Sequence, residues 1–228
     1  MQKIGIIGAG FTARALAKNL MAHGHEVMLS NSRGPQSLRS AVAALRCKVG
    51  TAQEAAQFGS MVAVAVPMSA WRELPADALA GKIVIDIMNH YPERDGPIKE
   101  LEQGASTTSE LIASQLPASR VVKAFNAIMA NDLERNPRPA GSPERRALPI
   151  AGDDAEAKAQ VAALVEEIGF DAVDTGSLAD SWRIERARPA YCIPMDKPTL
   201  HATLAATTRA SWVGEYSWRA AGEAPSPL

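Results

Sequence analysis

A short apolar run, residues 4–7, opens directly into Gly8-Ala9-Gly10-Phe11-Thr12-Ala13, and a helix-spaced pattern follows at once. No other feature of the chain restricts its fold as much. The first glycine permits a turn too tight for a side chain. The second leaves room for another molecule to approach the backbone, and Ala13 lets the helix lie close to the strand. Apolar residues recur at helical spacing through Ala13, Leu16, Ala17, Leu20 and Met21 until Gly24 stops them. A second apolar run, residues 25–29, then ends in Ser30-Asn31-Ser32-Arg33. Strand, glycine turn, helix and strand therefore stand in the order of a dinucleotide-binding βαβ unit. Its first helix would aim N–H groups near Phe11 and Thr12, and the positive end of its dipole, at a pyrophosphate.

The end of the second run says which dinucleotide. A site for NAD places a carboxylate there to hold the ribose 2′-hydroxyl, and this chain has none. Ser30, Asn31 and Ser32 offer neutral donors, and Arg33 offers a guanidinium that can pair with a 2′-phosphate and stack on adenine. A hydrogen bond to a charged group contributes about 1.5–3 kcal/mol. Arg33 alone can therefore supply roughly a ten- to hundredfold preference for the phosphorylated coenzyme. The cofactor expected is NADP(H).

Beyond this unit, strand-like and helix-like segments keep alternating. Helices are expected over 35–45, over 51–57 with a threonine cap, and over 69–80, 107–115 and 154–168. Strands are expected over 47–49, 60–66, 82–86, 120–125, 147–151 and 170–174. Strands separated by helices demand crossover connections. The expected fold is α/β: a Rossmann-type, doubly wound parallel sheet over residues 1–176. A small helical segment, 177–228, would cover the nicotinamide site and contribute to dimerisation. It carries three of the chain's four tryptophans, Trp182, Trp212 and Trp218, which need apolar surface to bury against.

A doubly wound sheet binds its ligand outside the carboxyl ends of its strands. Val66, Pro67 and Met68 follow the fourth strand, Asn89 the fifth, and Ala124 and Asn126 end the sixth. Asn126 can hydrogen-bond a carboxamide or cap a loop. His90 and Tyr91 fall in the same crevice.

A net charge of −1 offers no field for nucleic acid or anionic lipid. The apolar run around Met61–Val66 is too short to span a bilayer, and residues 1–20 lack the pattern of a secretory signal. Cys47 and Cys192 have no metal-binding spacing and read as free thiols. A cytoplasmic protein without a metal site is expected.

Five segments in combination, Ile6-Ile-Gly-Ala-Gly10, Leu29-Ser-Asn-Ser-Arg-Gly-Pro35, Val84-Ile-Asp-Ile-Met-Asn89, Val122-Lys-Ala-Phe-Asn126 and Ala151-Gly-Asp-Asp154, carry a resemblance from about residue 3 to residue 180. The chain resembles the deazaflavin-dependent NADP oxidoreductases (coenzyme F420:NADP oxidoreductase), and also the cytoplasmic reductase domain of the metal-reducing six-transmembrane proteins. The resemblance implies an NADP(H)-binding domain, a small C-terminal part over the nicotinamide, and commonly a homodimer. It implies hydride transfer between nicotinamide C4 and a deazaflavin, or the equivalent position of a flavin. Such chemistry depends on positioning more than on a general acid or base. No catalytic residue is assigned.

After Leu178 the resemblance weakens. Trp182, Arg183, Arg186, Arg188 and Tyr191 form either a cationic, aromatic wall for an acidic second ligand or a packed interface with solvated arginines. Two further readings stay open. One is an imine or carbonyl reductase, for which Tyr191, His201 or His90 would be the proton donor. The other is a module that senses NADP(H) without turnover.

Overall fold

In the computed structural model, which describes residues 1–38 and 45–214, the apolar runs become strands, those at the centre of the sheet buried on both faces. These are β1 (Lys3–Ile7), β2 (Glu26–Ser30), β3 (Lys48–Gly50), β4 (Met61–Val64), β5 (Ile83–Asp86), β6 (Arg120–Lys123), β7 (Ala147–Gly152) and β8 (Asp171–Asp174). They form one sheet in the order β3-β2-β1-β4-β5-β6-β7-β8. The register is continuous at its centre, where Ile6 lies between Leu29 on β2 and Ala63 on β4.

Helices cover both faces. On one side, α1 (Phe11–Ala22), α7 (Ala130–Arg135) and α8 (Ala155–Glu167) pack Leu16, Leu20, Leu133, Val161 and Val165 against Ile4, Ile6, Leu29 and Ile85. Asn19 is buried there and donates to the carbonyls of Leu133 and Ile168. On the other side lie α2 (Ala52–Phe58), α3 (Ala76–Leu79) and α6 (Thr108–Gln115), over Ile7, Val62, Val64 and Val84. Short helices α4 (Pro92–Asp95) and α5 (Lys99–Glu102) stand at the carboxyl edge. The threonine cap on α2 is a full capping box with Glu54, and Thr107 with Glu110 repeats it on α6.

The sheet is not wholly parallel. β7 runs antiparallel to β6, pairing Val122 with Gly152 and Lys123 with Ala151, and β8 then lies parallel to β7. The cause lies in the connection. After β6 the chain has only the six-residue α7 and a proline-bearing loop, and Arg146, at the start of β7, donates to the Ala127 carbonyl just beyond the end of β6. The chain re-enters the sheet at the end it left, so no crossover is made.

Of the helix expected over 35–45, residues 35–38 form a single 3₁₀ turn and 39–44 lie outside the described residues. The expected helix over 69–80 is a 3₁₀ segment, Met68–Glu73, followed by α3. Leu178–Ile184 is also 3₁₀, and α9 (Lys197–Ala206) packs Leu200 and Leu204 on Ala147, Ala151 and Val173. Among the described residues no helix is long and apolar enough to cross a membrane.

Candidate active site

The chain reverses its direction of winding at β1, which has β2 on one side and β4 on the other. A crevice opens there, beyond the carboxyl ends of the strands. Gly8 turns the chain into it with φ +119° and donates to the Ser30 carbonyl at 3.0 Å. A Cβ on Gly8 would lie 2.3 Å from the Ala65 carbonyl oxygen, so neither its conformation nor its surroundings admit a side chain. Gly10 is the N-cap of α1, without a side-chain cap and with no acidic residue in the first turn. The first N–H groups of that helix therefore face the crevice unsatisfied, at the positive end of the dipole.

The cleft has a volume of about 430 Å³ and brings together Gly8, Gly10, Phe11, Thr12, Ala13, Asn31, Ser32, Val66, Pro67 and Asn89. Of the remaining candidates, Arg33 stands exposed at the next position along the rim, without an ion-pair or hydrogen-bond partner among the described residues. Ser30 is turned inward; its hydroxyl is fully buried and donates to the Ile6 carbonyl. Met68 is buried in the core beneath the cleft, and Ala124 in the core on the opposite face of the sheet. Asn126 is buried at the junction of three segments. Its side-chain nitrogen donates to Asn89 Oδ1 and to the Ile184 carbonyl, while Asn89 donates back to the Asn126 carbonyl. Phe125, just before it, has φ +58°, a conformation uncommon outside glycine that aims Asn126 into this junction. The two asparagines thus act as a brace, of which only Asn89 lines the cleft.

A second, larger cavity of about 870 Å³ adjoins the first. Its walls include His90, Thr108, Glu185, Arg186, Arg188, Arg209, Trp182 and Trp212. Residues 89–92 form the partition, since Asn89 and Tyr91 face the first cleft while His90 and Pro92 face the second. The Tyr91 ring is held between the guanidinium groups of Arg94 at 4.7 Å and Arg186 at 4.5 Å. Its hydroxyl meets that of Tyr191 at 2.5 Å. Burial raises the pKa of both phenols, Tyr191 well above its ordinary value, so each remains a neutral hydroxyl.

The expected cationic wall is partly formed. Trp182, Arg186 and Arg188 line the second cavity, Arg188 stacking on Trp212 at 4.1 Å and Arg209 on Trp182 at 4.4 Å. Arg183 pairs instead with Asp180, and Tyr191 is buried behind the partition. His201 is exposed on α9, away from both cavities. Trp182 is covered by its own chain and Trp218 lies outside the described residues, so the expectation of a two-fold partner now rests on Trp212, which is 66% exposed.

Sequence reasoning did not single out the ion pair beneath the partition. Asp86 and Lys123, both fully buried, meet at 2.9 Å across β5 and β6. The signal was present as a charged residue ending each of two adjacent strands, IVID and RVVK.

Residues 3–90, which supply most of the first cleft, match the family described as NADP oxidoreductase, coenzyme F420-dependent. A hypothetical protein from Sinorhizobium meliloti is 31% identical, with a TM-score of 0.76 over 86% of this chain and 96% of its own. The likeness to the F420-dependent NADP oxidoreductase family is thus carried by residues 3–90. A candidate F420-dependent NADP-reductase from Arthrobacter sp. FB24 is 26% identical, with a TM-score of 0.66 over 80% of this chain and 88% of its own. Metalloreductase STEAP3 of Rattus norvegicus is 37% identical over 203 residues, 88% of this chain. The chain spans 39% of the length of that metalloreductase.

Proposed function

We propose that the chain is an NADP(H)-dependent oxidoreductase that moves hydride between nicotinamide and a deazaflavin, a flavin or another small acceptor. The supporting observation is the pair of adjoining cavities with residues 89–92 between them. The residues present fit the coenzyme. Gly10 leaves open space where a Cβ would stand, the start of α1 is uncapped, and Arg33 is exposed and unpaired among the described residues. The pyrophosphate would rest on the N–H groups of α1, with the 2′-phosphate against Ser32 and Arg33. The cleft then runs from the end of β2 toward Val66, Met88 and Asn89, where the nicotinamide end would lie. When bound, the reduced coenzyme supplies the hydride.

The chain's own part is to orient and to exclude water. The Asn89–Asn126 brace fixes the partition, and the exposed Trp212 offers a ring surface to a heterocycle in the second cavity. The arginines there favour an acceptor carrying acidic groups. The deciding experiment follows NADPH absorbance with a deazaflavin, FMN, FAD and a panel of small carbonyls and imines. Oxidation by the heterocycles is expected. Consumption with the carbonyl and imine panel alone would transfer the assignment to that reductase class. The neutral Tyr91 hydroxyl at the first cleft favours this second reading, because such a reduction needs a proton donor. Tight binding without turnover on any acceptor would leave a sensing module.

A further inference from the structure

The two cavities are joined through the interior by side chains that the cofactor reading does not use. The Lys123 ammonium spends its three N–H bonds on Asp86 Oδ2 at 2.9 Å, the Met88 carbonyl at 2.7 Å and Thr108 Oγ1 at 2.9 Å. Asp86 accepts the Met88 N–H at 2.8 Å on its other oxygen, and the Ser109 hydroxyl at 2.6 Å. Both backbone groups of Met88 are therefore held by one buried ion pair. On the far side, the Thr108 hydroxyl donates to Glu185 Oε1 at 2.8 Å, and the same oxygen takes the Thr108 N–H. Met88 lines the first cleft; Thr108 and Glu185 line the second.

Stability does not account for this arrangement. Removing two charges from water is costly, and apolar residues of similar size in place of a buried ion pair are often as stable or more so. What an ion pair with every hydrogen bond satisfied does supply is one fixed geometry. We propose that Asp86, Lys123, Thr108 and Glu185 are positioning residues. They set the Met88–Asn89 wall against the nicotinamide end of the coenzyme and tie its placement to Glu185 in the acceptor cavity. This rests on the cofactor orientation given above.

The test compares NADPH with 2′,5′-ADP, which carries the 2′-phosphate and adenosine but nothing that reaches Met88. Calorimetry on the intact chain measures both ligands in Thr108→Val, Thr108→Ser and Glu185→Gln. Thr108→Val is expected to weaken NADPH about tenfold, the equivalent of about 1.4 kcal/mol, with 2′,5′-ADP changed less than about twofold. Thr108→Ser keeps the hydroxyl and should restore wild-type affinity. Glu185→Gln, at a half-buried position that tolerates the change, should weaken NADPH about threefold by loosening the far end of the chain. Equal weakening of both ligands would reduce the network to a structural role and overturn the proposal, as would NADPH affinity unchanged in all variants. A wild-type chain that binds neither ligand would overturn the cofactor reading as well, so the two failures are separable.

Discussion

The first cleft and the second cavity are built in opposite ways. The first is largely backbone: a glycine with no space for a side chain, a second glycine open to solvent, helix N–H groups, and short polar residues on one adjacent turn. Its core lies within one βαβ unit, so its shape follows from local conformational rules. The second cavity is built of long side chains, with His90, Thr108, Trp182, Arg188 and Trp212 coming from segments far apart in the chain. Backbone cradles suit a ligand group of constant shape. Side-chain walls can be varied one residue at a time.

The largest expected effect separates the two roles of glycine in the first region. Gly8→Ala forces a methyl group toward the Ala65 carbonyl at a positive φ and should cost about 3 kcal/mol or more in denaturant unfolding. Gly10 has φ −67° and open space before it, so Gly10→Ala should leave stability within about 0.5 kcal/mol. Its NADPH affinity should nonetheless fall about tenfold or more, because the methyl enters the pyrophosphate seat. Unchanged affinity would mean that the cleft is not that seat.

Arg33→Ala comes next. By calorimetry it should raise the NADPH dissociation constant about tenfold and leave NADH nearly unchanged, since only the phosphorylated coenzyme meets the guanidinium. Equal losses would remove coenzyme choice from the first region.

The smallest effect concerns the packing behind the second. Burial pushes the Cys192 thiol up to about 12. A thiol whose folded pKa lies above its unfolded value, about 8.5, contributes stability that is complete below that value and lost as pH rises through the folded one. The melting temperature should therefore decline from about pH 8.5 upward, and Cys192→Ala should flatten the decline below the tyrosine range near pH 10. An identical slope in the variant would show that this packing does not hold the thiol neutral.

The glycine turn, the strand and helix flanking it, the absence of an acid after β2, and the cap at Thr51 were all legible in the residues alone. Each depends on a few neighbours in sequence and on dihedral rules that act locally. The inward turn of the Ser30 hydroxyl, the Asn89–Asn126 brace, the antiparallel entry of β7 and the Asp86–Lys123 pair were not. Each depends on what lies across the sheet or on how a connection returns, which spacing along the chain does not encode. The sequence alone determined the first cleft of this protein, because such a cleft is made by a short stretch of backbone. The tertiary structure decided the second cavity, because a cavity walled by distant side chains exists only once the chain has closed upon itself.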